Sequence, residues 1–254
     1  MEEILDRMTR VTTMLFSRYL VISGVAFLVW YVIFKKKWSF KKIQMAFPKR
    51  KDYQRELLYS VLTVLVFAII AAISMSPWVK PYSMLYKDLE AYPMWYYILS
   101  FPLVILIHDT YFYWTHRFMH HPRVFKWVHL VHHRSTNPSP WAAYAFHPLE
   151  SVLEGMAFFV IFFTVPVHIS VMLVFLLFNF LHNVYGHLGY ELMPKALNNT
   201  KIGRLVNTSV YHNLHHKYCK GNYGLYFTFW DKWMGTYHEK NLGTFDEVKL
   251  RVKQ

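Results

Sequence analysis

Long uncharged runs constrain this chain more than any other feature of its sequence. Met14 to Phe34 carries one charge, Arg18, over 21 residues, and Leu57 to Trp78 carries none over 22. At 1.5 Å of helical rise per residue, each covers a hydrocarbon core of about 30 Å. Both are predicted membrane spans. Ala91 to Ile107 is a shorter third span, opened by an aromatic belt of Tyr92, Trp95, Tyr96 and Tyr97. The first run is too deep and too long for the apolar core of a secretory signal, and no small-residue cleavage site follows it. It is expected to be retained.

Charge then sets the orientation. Of 28 basic residues, Lys35, Lys36, Lys37, Lys41, Lys42, Lys49, Arg50, Lys51 and Arg55 fall between the first two spans, whereas Pro81 to Tyr92 holds one Lys, one Asp and one Glu. The positive-inside rule places the first loop, and everything after Ile107, in the cytoplasm. The net charge of +13 excludes an acidic disordered chain. With membrane runs present it favours anionic lipid over nucleic acid as a partner. A single cysteine, Cys219, excludes an intramolecular disulfide framework and a cysteine-rich zinc or iron-sulfur site. Any metal must be held by imidazole or carboxylate.

A fourth apolar stretch, Met156 to Leu181, has histidine-rich sequence on both sides. One long kinked span would strand those histidines on opposite faces. Pro166, beside Thr164 and His168, instead predicts a turn between two half-depth or tilted helices, so that a returning hairpin (152–181) brings both groups to the cytoplasmic side. The expected fold is therefore an all-α integral membrane protein with about four transmembrane helices: two spans, a third running into the catalytic region, and the hairpin. A cytosolic helical cap holds the histidines. The corresponding division is an N-terminal membrane region (1–107), a catalytic region (108–240) and a polar C-terminal tail (241–254).

Fifteen histidines are present. His116 and His120 share a helical face, and Asp109 lies within about 20° of both, placed to hold or ligate. His108 is displaced by roughly 80° and ranks lower. His129, His132 and His133 are spaced i, i+3, i+4, and His212, His215 and His216 repeat the pattern, each triplet falling on one helical face. Three adjacent imidazoles pack poorly and repel when protonated, so a metal is the natural way to satisfy them. With at least one of His182 and His187, nine or ten nitrogen donors accumulate. That is too many for one ion, and two metals follow. Imidazole suits zinc and iron alike. His182 and His187 stand about 140° apart on a regular helix and need a bend, which Gly186 can supply. Asp109, Glu150, Asn183 and Asn207 are candidates to orient imidazole N–H groups, and Asn213 is expected to face away. His121, His168 and His238 are read as structural or solvated.

These residues carry a resemblance. His108-Asp109-x-x-Phe112-Tyr113-Trp114-x-His116-Arg117-x-x-His120, His129-x-x-His132-His133 and His212-x-x-His215-His216 resemble the histidine boxes of the sterol desaturase and fatty acid hydroxylase superfamily. Ala145-Phe146-His147-Pro148-Leu149-Glu150 is similar to a stretch of the sterol C-5 desaturases. His187-Leu188-Gly189-Tyr190 and Asn222-Tyr223-Gly224-x-Tyr226-Phe227-Thr228-x-Trp230-Asp231 extend the likeness over about Ile107 to Thr236. The resemblance implies a di-iron centre, molecular oxygen as co-substrate, an external electron donor and a lipid substrate, either a fatty acyl chain or a sterol or isoprenoid. It implies hydroxylation or desaturation, with monooxygenase chemistry favoured as the commoner outcome in small members, in a bacterial inner membrane or the endoplasmic reticulum.

No glycine-rich dinucleotide fingerprint or haem-attachment motif is present, so electrons are expected from a b-type cytochrome or ferredoxin. Arg117, Arg123, Lys126, Arg134, Lys217 and Lys220 surround the histidine segments and suit an acidic donor; topology alone also accounts for them. Phe158, Phe159, Phe162, Phe163, Phe175, Phe178 and Phe180 crowd the hairpin, as tunnel lining or as ordinary packing. Two other classes combine spans with histidines. A metal or haem transporter would place ligands near the bilayer midplane and often repeats internally, but spans one to three contain no histidine. An inactive zinc-binding scaffold of the same fold is the other.

Overall fold

The computed structural model describes residues 2–251. The chain is an all-helical membrane protein. Its helices are α1 (Glu2–Phe27), α2 (Arg50–Ser74), α3 (Met94–Met119), α4 (Pro122–Val128), α5 (Leu130–His133), α6 (Pro148–Thr164), α7 (Ile169–Gly186), α8 (Lys195–Asn198), α9 (Ser209–Tyr218), α10 (Phe229–Trp233) and α11 (Asn241–Leu250). A π-helical turn, Leu28–Ile33, continues α1 without a break. Met8–Ile33, Arg50–Ser74 and Ile169–Gly186 are each long and apolar enough to cross a membrane. α3 starts within the third expected span and runs on past Ile107, so the expected division at residue 107 falls inside one continuous helix.

The fourth apolar stretch is a hairpin. α6 opens with Pro148 in its first turn, where a missing N–H costs nothing, and His147 Nδ1 accepts from the Leu149 amide. α7 is opened by His168, whose Nδ1 accepts from the Ser170 amide. Between them Val167–His168 (β2) pairs in parallel with Leu85–Tyr86 (β1) from the α2–α3 connection, and His168 Nε2 donates to the Lys87 carbonyl at 2.9 Å. The hairpin turn and the α2–α3 connection are thus stapled together at one end of the bundle. The arms contain 17 and 18 residues, about 26 Å each. Expected as half-depth or tilted helices, they are nearly full-depth, because α6 begins at Pro148, ahead of the apolar stretch, and α7 runs past it to Gly186. Gly155 lets α6 approach α2 closely: a Cβ there would lie 2.3 Å from Ile70 Cδ1.

The other end gathers the histidines and the basic loop. Gln44 Nε2 donates to the Thr136 carbonyl (2.8 Å) and to Asn213 Oδ1 (2.9 Å), and the Ile43 amide donates to the Gly189 carbonyl (3.0 Å). Asn213 therefore does face away from its neighbouring histidines. The π-helical turn swings Tyr31 inward, where its hydroxyl donates to the Leu188 carbonyl (2.9 Å) and lies 3.3 Å from that of Pro138. Lys42 is fully buried, with Nζ 4.6–5.3 Å from the ring centres of Phe47, Tyr190 and Tyr31 and no hydrogen-bond partner. Burial lowers its pKa to about 8.

The stretch expected as a polar tail is mostly helix. In α11, Phe245 and Val248 are buried, Phe245 among Val210, Tyr211 and Leu214 of α9, and the buried Asn241 side chain bonds Asn222 at 2.7–2.8 Å. Residues 252–254 of the expected tail lie outside the described residues. Alternation of a few apolar residues with charge over ten positions concealed the docked face.

Candidate metal centre

Nine histidines converge into two groups. His116, His120, His129, His133 and His215 form the first, and His132, His187, His212 and His216 the second; within each, one ring nitrogen per residue lies within 4.8 Å of the others. The groups adjoin, with the ring centres of His133 and His216 4.9 Å apart.

Both triplets are split between the groups. His129 and His133, spaced i, i+4, enter the first group while His132 enters the second; His212 and His216 enter the second while His215 enters the first. Residues four apart differ by about 40° around a helix axis, whereas each neighbouring position differs by about 100°. The common face expected for all three imidazoles is therefore two adjacent faces, one per group.

The hydrogen bonds on the outer nitrogens show what the inner ones can do. His116 Nδ1 donates to the Tyr223 carbonyl (2.9 Å), His129 Nδ1 to Glu150 Oε1 (2.7 Å), His215 Nδ1 to the Gly221 carbonyl (2.6 Å) and His187 Nδ1 to the Asn183 carbonyl (2.8 Å). A neutral imidazole that donates through Nδ1 presents a lone pair at Nε2. Yet His116 Nε2 and His129 Nε2 face each other at 3.0 Å, and His187 Nε2 lies 3.1 Å from those of His212 and His216. His120 Nε2 and His215 Nε2 are buried without a partner. Opposed lone pairs repel unless a cation sits among them, so the donor set fits one metal ion in each group.

Burial and neighbouring imidazoles push His129, His132, His133, His212, His215 and His216 well below the ordinary histidine range. Burial brings His187 down to about 4. All are neutral at pH 7, the form that binds metal. Burial likewise raises Glu150 well above the usual carboxylate range, and its Oε2 has no partner.

His182 and Asp109 stand apart from both groups. His182 lies within α7, and its Nε2 donates to the Leu225 carbonyl at 2.9 Å; His187 sits just past the helix, where the break at Gly186 turns it inward. Asp109 Oδ1 accepts from the amides of Tyr226 (2.7 Å) and Phe227 (3.3 Å), tying α3 to the C-terminal loop rather than to an imidazole. Asn207 Nδ2 donates to the Gly224 and Leu225 carbonyls. Asn183 supports His187 through its backbone. His108 is buried against Phe175 and Tyr226, and His121 caps α4.

The carbonyls of Tyr223 and Gly221 escaped the sequence reading. Gly221 and Asn222 have φ of 70° and 54°, a left-handed turn that aims the Gly221 carbonyl inward, and Asp231 anchors it by accepting from the amides of Tyr223 and Gly224 at 2.8 Å. The Lys-Gly-Asn-Tyr-Gly stretch was the available signal for that turn.

A cavity of about 620 Å³ ends against this site. It starts among Lys80, Tyr86 and Lys87 at the far end of the bundle and reaches His108, Asn183 and Leu225. It follows α7 from Ile169 to Asn183, roughly 21 Å. Phe158 and Phe162 line it, whereas Phe163 is exposed on the outside of the bundle and Phe180 packs among Tyr19 and Tyr144.

The fatty acid hydroxylase family model matches residues 101–236, more than half of the chain. The chain belongs to this family. It is 30% identical to the Delta(7)-sterol 5(6)-desaturase of Leptosphaeria maculans, over 91% of this chain and 62% of that protein. It is also 30% identical to methylsterol monooxygenase 1 of Rattus norvegicus, over 86% of this chain and 73% of that one. Human lathosterol oxidase is 29% identical over 78% of this chain and 64% of its own length. Against the first fungal relatives the chain spans about half to three fifths of their length. No solved structure matches.

Proposed function

We propose that this family member is a membrane-bound di-iron oxidoreductase that uses O2 and electrons from a separate carrier to hydroxylate or desaturate a lipid of the sterol or isoprenoid class. One observation supports this above the others: nine neutral imidazoles turn opposed lone pairs into two adjacent pockets, next to an apolar cavity whose lining Phe112 and Phe146 pack on His116 and His132. When bound, a pair of iron ions with oxygen supplies the means to remove hydrogen from an unactivated carbon, which side chains cannot do unaided.

The protein contributes position and environment. Glu150 and the carbonyls of Tyr223, Gly221 and Asn183 fix imidazole tautomers and ring orientation. Phe112, Phe158 and Phe162 line an apolar path that favours a hydrocarbon and keeps bulk water from its inner end. The names of the relatives favour a sterol over a simple acyl chain.

The basic loop shares the histidine end of the bundle, which supports a cytoplasmic metal site. Arg117, Arg123, Lys126, Arg134, Lys217 and Lys220 are all exposed and suit an acidic b-type cytochrome or ferredoxin. The test is lipid profiling of cells with and without the gene, together with metal analysis of the purified protein. Gain of one oxygen or loss of two hydrogens in a lipid, with two iron ions per chain, is expected. Neither mass change, or zinc retained with no oxygen consumption under a reductant and carrier, overturns the reading.

A further inference from the structure

The cavity is apolar along most of its length, but its inner end is not. Glu154 is the one acidic side chain among the described residues lining it, and it makes no hydrogen bond or ion pair among them. It stands one helical turn beyond Glu150, the residue that holds His129, and so belongs to the inner part of the cavity. Asn179 and Asn183, four apart on the same face of α7, line that part too. Asn179 Oδ1 accepts from the Tyr226 hydroxyl at 2.8 Å, which leaves its NH2 group free to donate.

A carboxyl in an apolar wall without a donor is costly, and packing alone gives no return for it. We infer that Glu154, with Asn179 and Asn183, forms a recognition subsite for an alcohol on the substrate, seated beside the metal groups while the hydrocarbon remainder fills the cavity toward Lys80 and Tyr86. This rests on the lipid-oxidising reading above and narrows its substrate class.

The chemistry discriminates. A hydroxyl donates to Glu154 and accepts from an amide NH2. A ketone cannot donate. A carboxylate likewise has no proton to donate to Glu154, and it has to shed its water as well. Arg18, along the wall at mid-depth, is already engaged by the Tyr144 hydroxyl (3.0 Å) and the Leu176 carbonyl (3.3 Å). Lys80 and Lys87 lie at the far mouth, where an anionic head would hold the opposite end of a lipid.

The experiment is equilibrium binding to the purified full chain in detergent, with cholestanol against cholestanone and octadecanol against stearate. Binding needs neither metal nor turnover, so it fails or succeeds separately from the oxidoreductase reading. The wild type is expected to prefer at least one alcohol over its partner by about tenfold. Glu154→Leu is expected to abolish that preference, and Glu154→Gln, which still presents an acceptor, to retain part of it. Asn183→Leu provides a second variant should Glu154→Leu fail to fold, and it is expected to weaken alcohol and ketone binding alike. No saturable alcohol binding, equal or tighter binding of the ketone and the acid, or an undiminished preference in Glu154→Leu overturns the proposal.

Discussion

Glu150 offers the sharpest test of the two-group site. Its Oε1 accepts from His129 Nδ1 at 2.7 Å, and both side chains are buried. Leaving the buried imidazole N–H without an acceptor costs about 1–3 kcal/mol. Glu150→Ala should therefore lower metal affinity by about 10- to 100-fold. Glu150→Gln keeps an acceptor for His129 Nδ1 and should cost about tenfold or less. Both losses should fall on the first group alone, because His132, His187, His212 and His216 make no contact with Glu150. The assay is metal stoichiometry during chelator titration, with helicity monitored by circular dichroism. Wild type should release its metals in one order, and Glu150→Ala should retain one metal where wild type retains two. Unchanged affinity in Glu150→Ala would refute the orienting role, and equal weakening of both metals in a folded variant would refute the separation into two groups.

Other perturbations probe different parts of the structure. His187→Ala should remove the metal of the second group, whereas His182→Ala should leave both in place, as metal analysis of the two proteins would show. Gly224→Ala would set a Cβ 2.3 Å from the Phe227 carbonyl oxygen and should disrupt the loop carrying the Tyr223 and Gly221 carbonyls, read as loss of first-group metal and a lower Tm. Lys42 has a folded pKa of about 8 against an ordinary 10.5. Between those values the unfolded chain binds more protons, so its stability contribution rises as pH increases from 8 to 10.5, by about 3 kcal/mol at most, and is level below 8. Denaturation of wild type and Lys42→Met side by side should show the difference between them shifting in the wild type's favour across that window. Replacing Lys126 and Lys217 by Glu should slow carrier-dependent turnover and flatten its salt dependence, with turnover driven by a small chemical reductant unaffected.

Local pattern revealed most of the architecture. Uncharged runs marked the helices, Pro166 marked the hairpin turn, and the spacing of the histidines marked which imidazoles gather. The failures have a common cause. His182 and His187 differ only by which side of a helix end they occupy, and the exit from α7 at Gly186 decides that. The i+3 histidines, His132 and His215, each serve the group their own triplet partners do not, which is visible only once another helix stands opposite. Asp109 shares a stripe with His116 and His120, but the amides of Tyr226 and Phe227, more than a hundred residues away in sequence, claim its carboxylate. The aromatic enclosure of Lys42 unites residues 31, 42, 47 and 190, and no short window of sequence contains it.

The division of each triplet has a mechanical result. His132 and His133 are covalent neighbours serving opposite groups, as are His215 and His216. Consecutive Cα atoms are fixed 3.8 Å apart by the peptide bond, so the separation of the groups is gauged by chain geometry instead of by the softer contact between helices. Tilting or sliding α5 or α9 would therefore carry ligands of both groups along together.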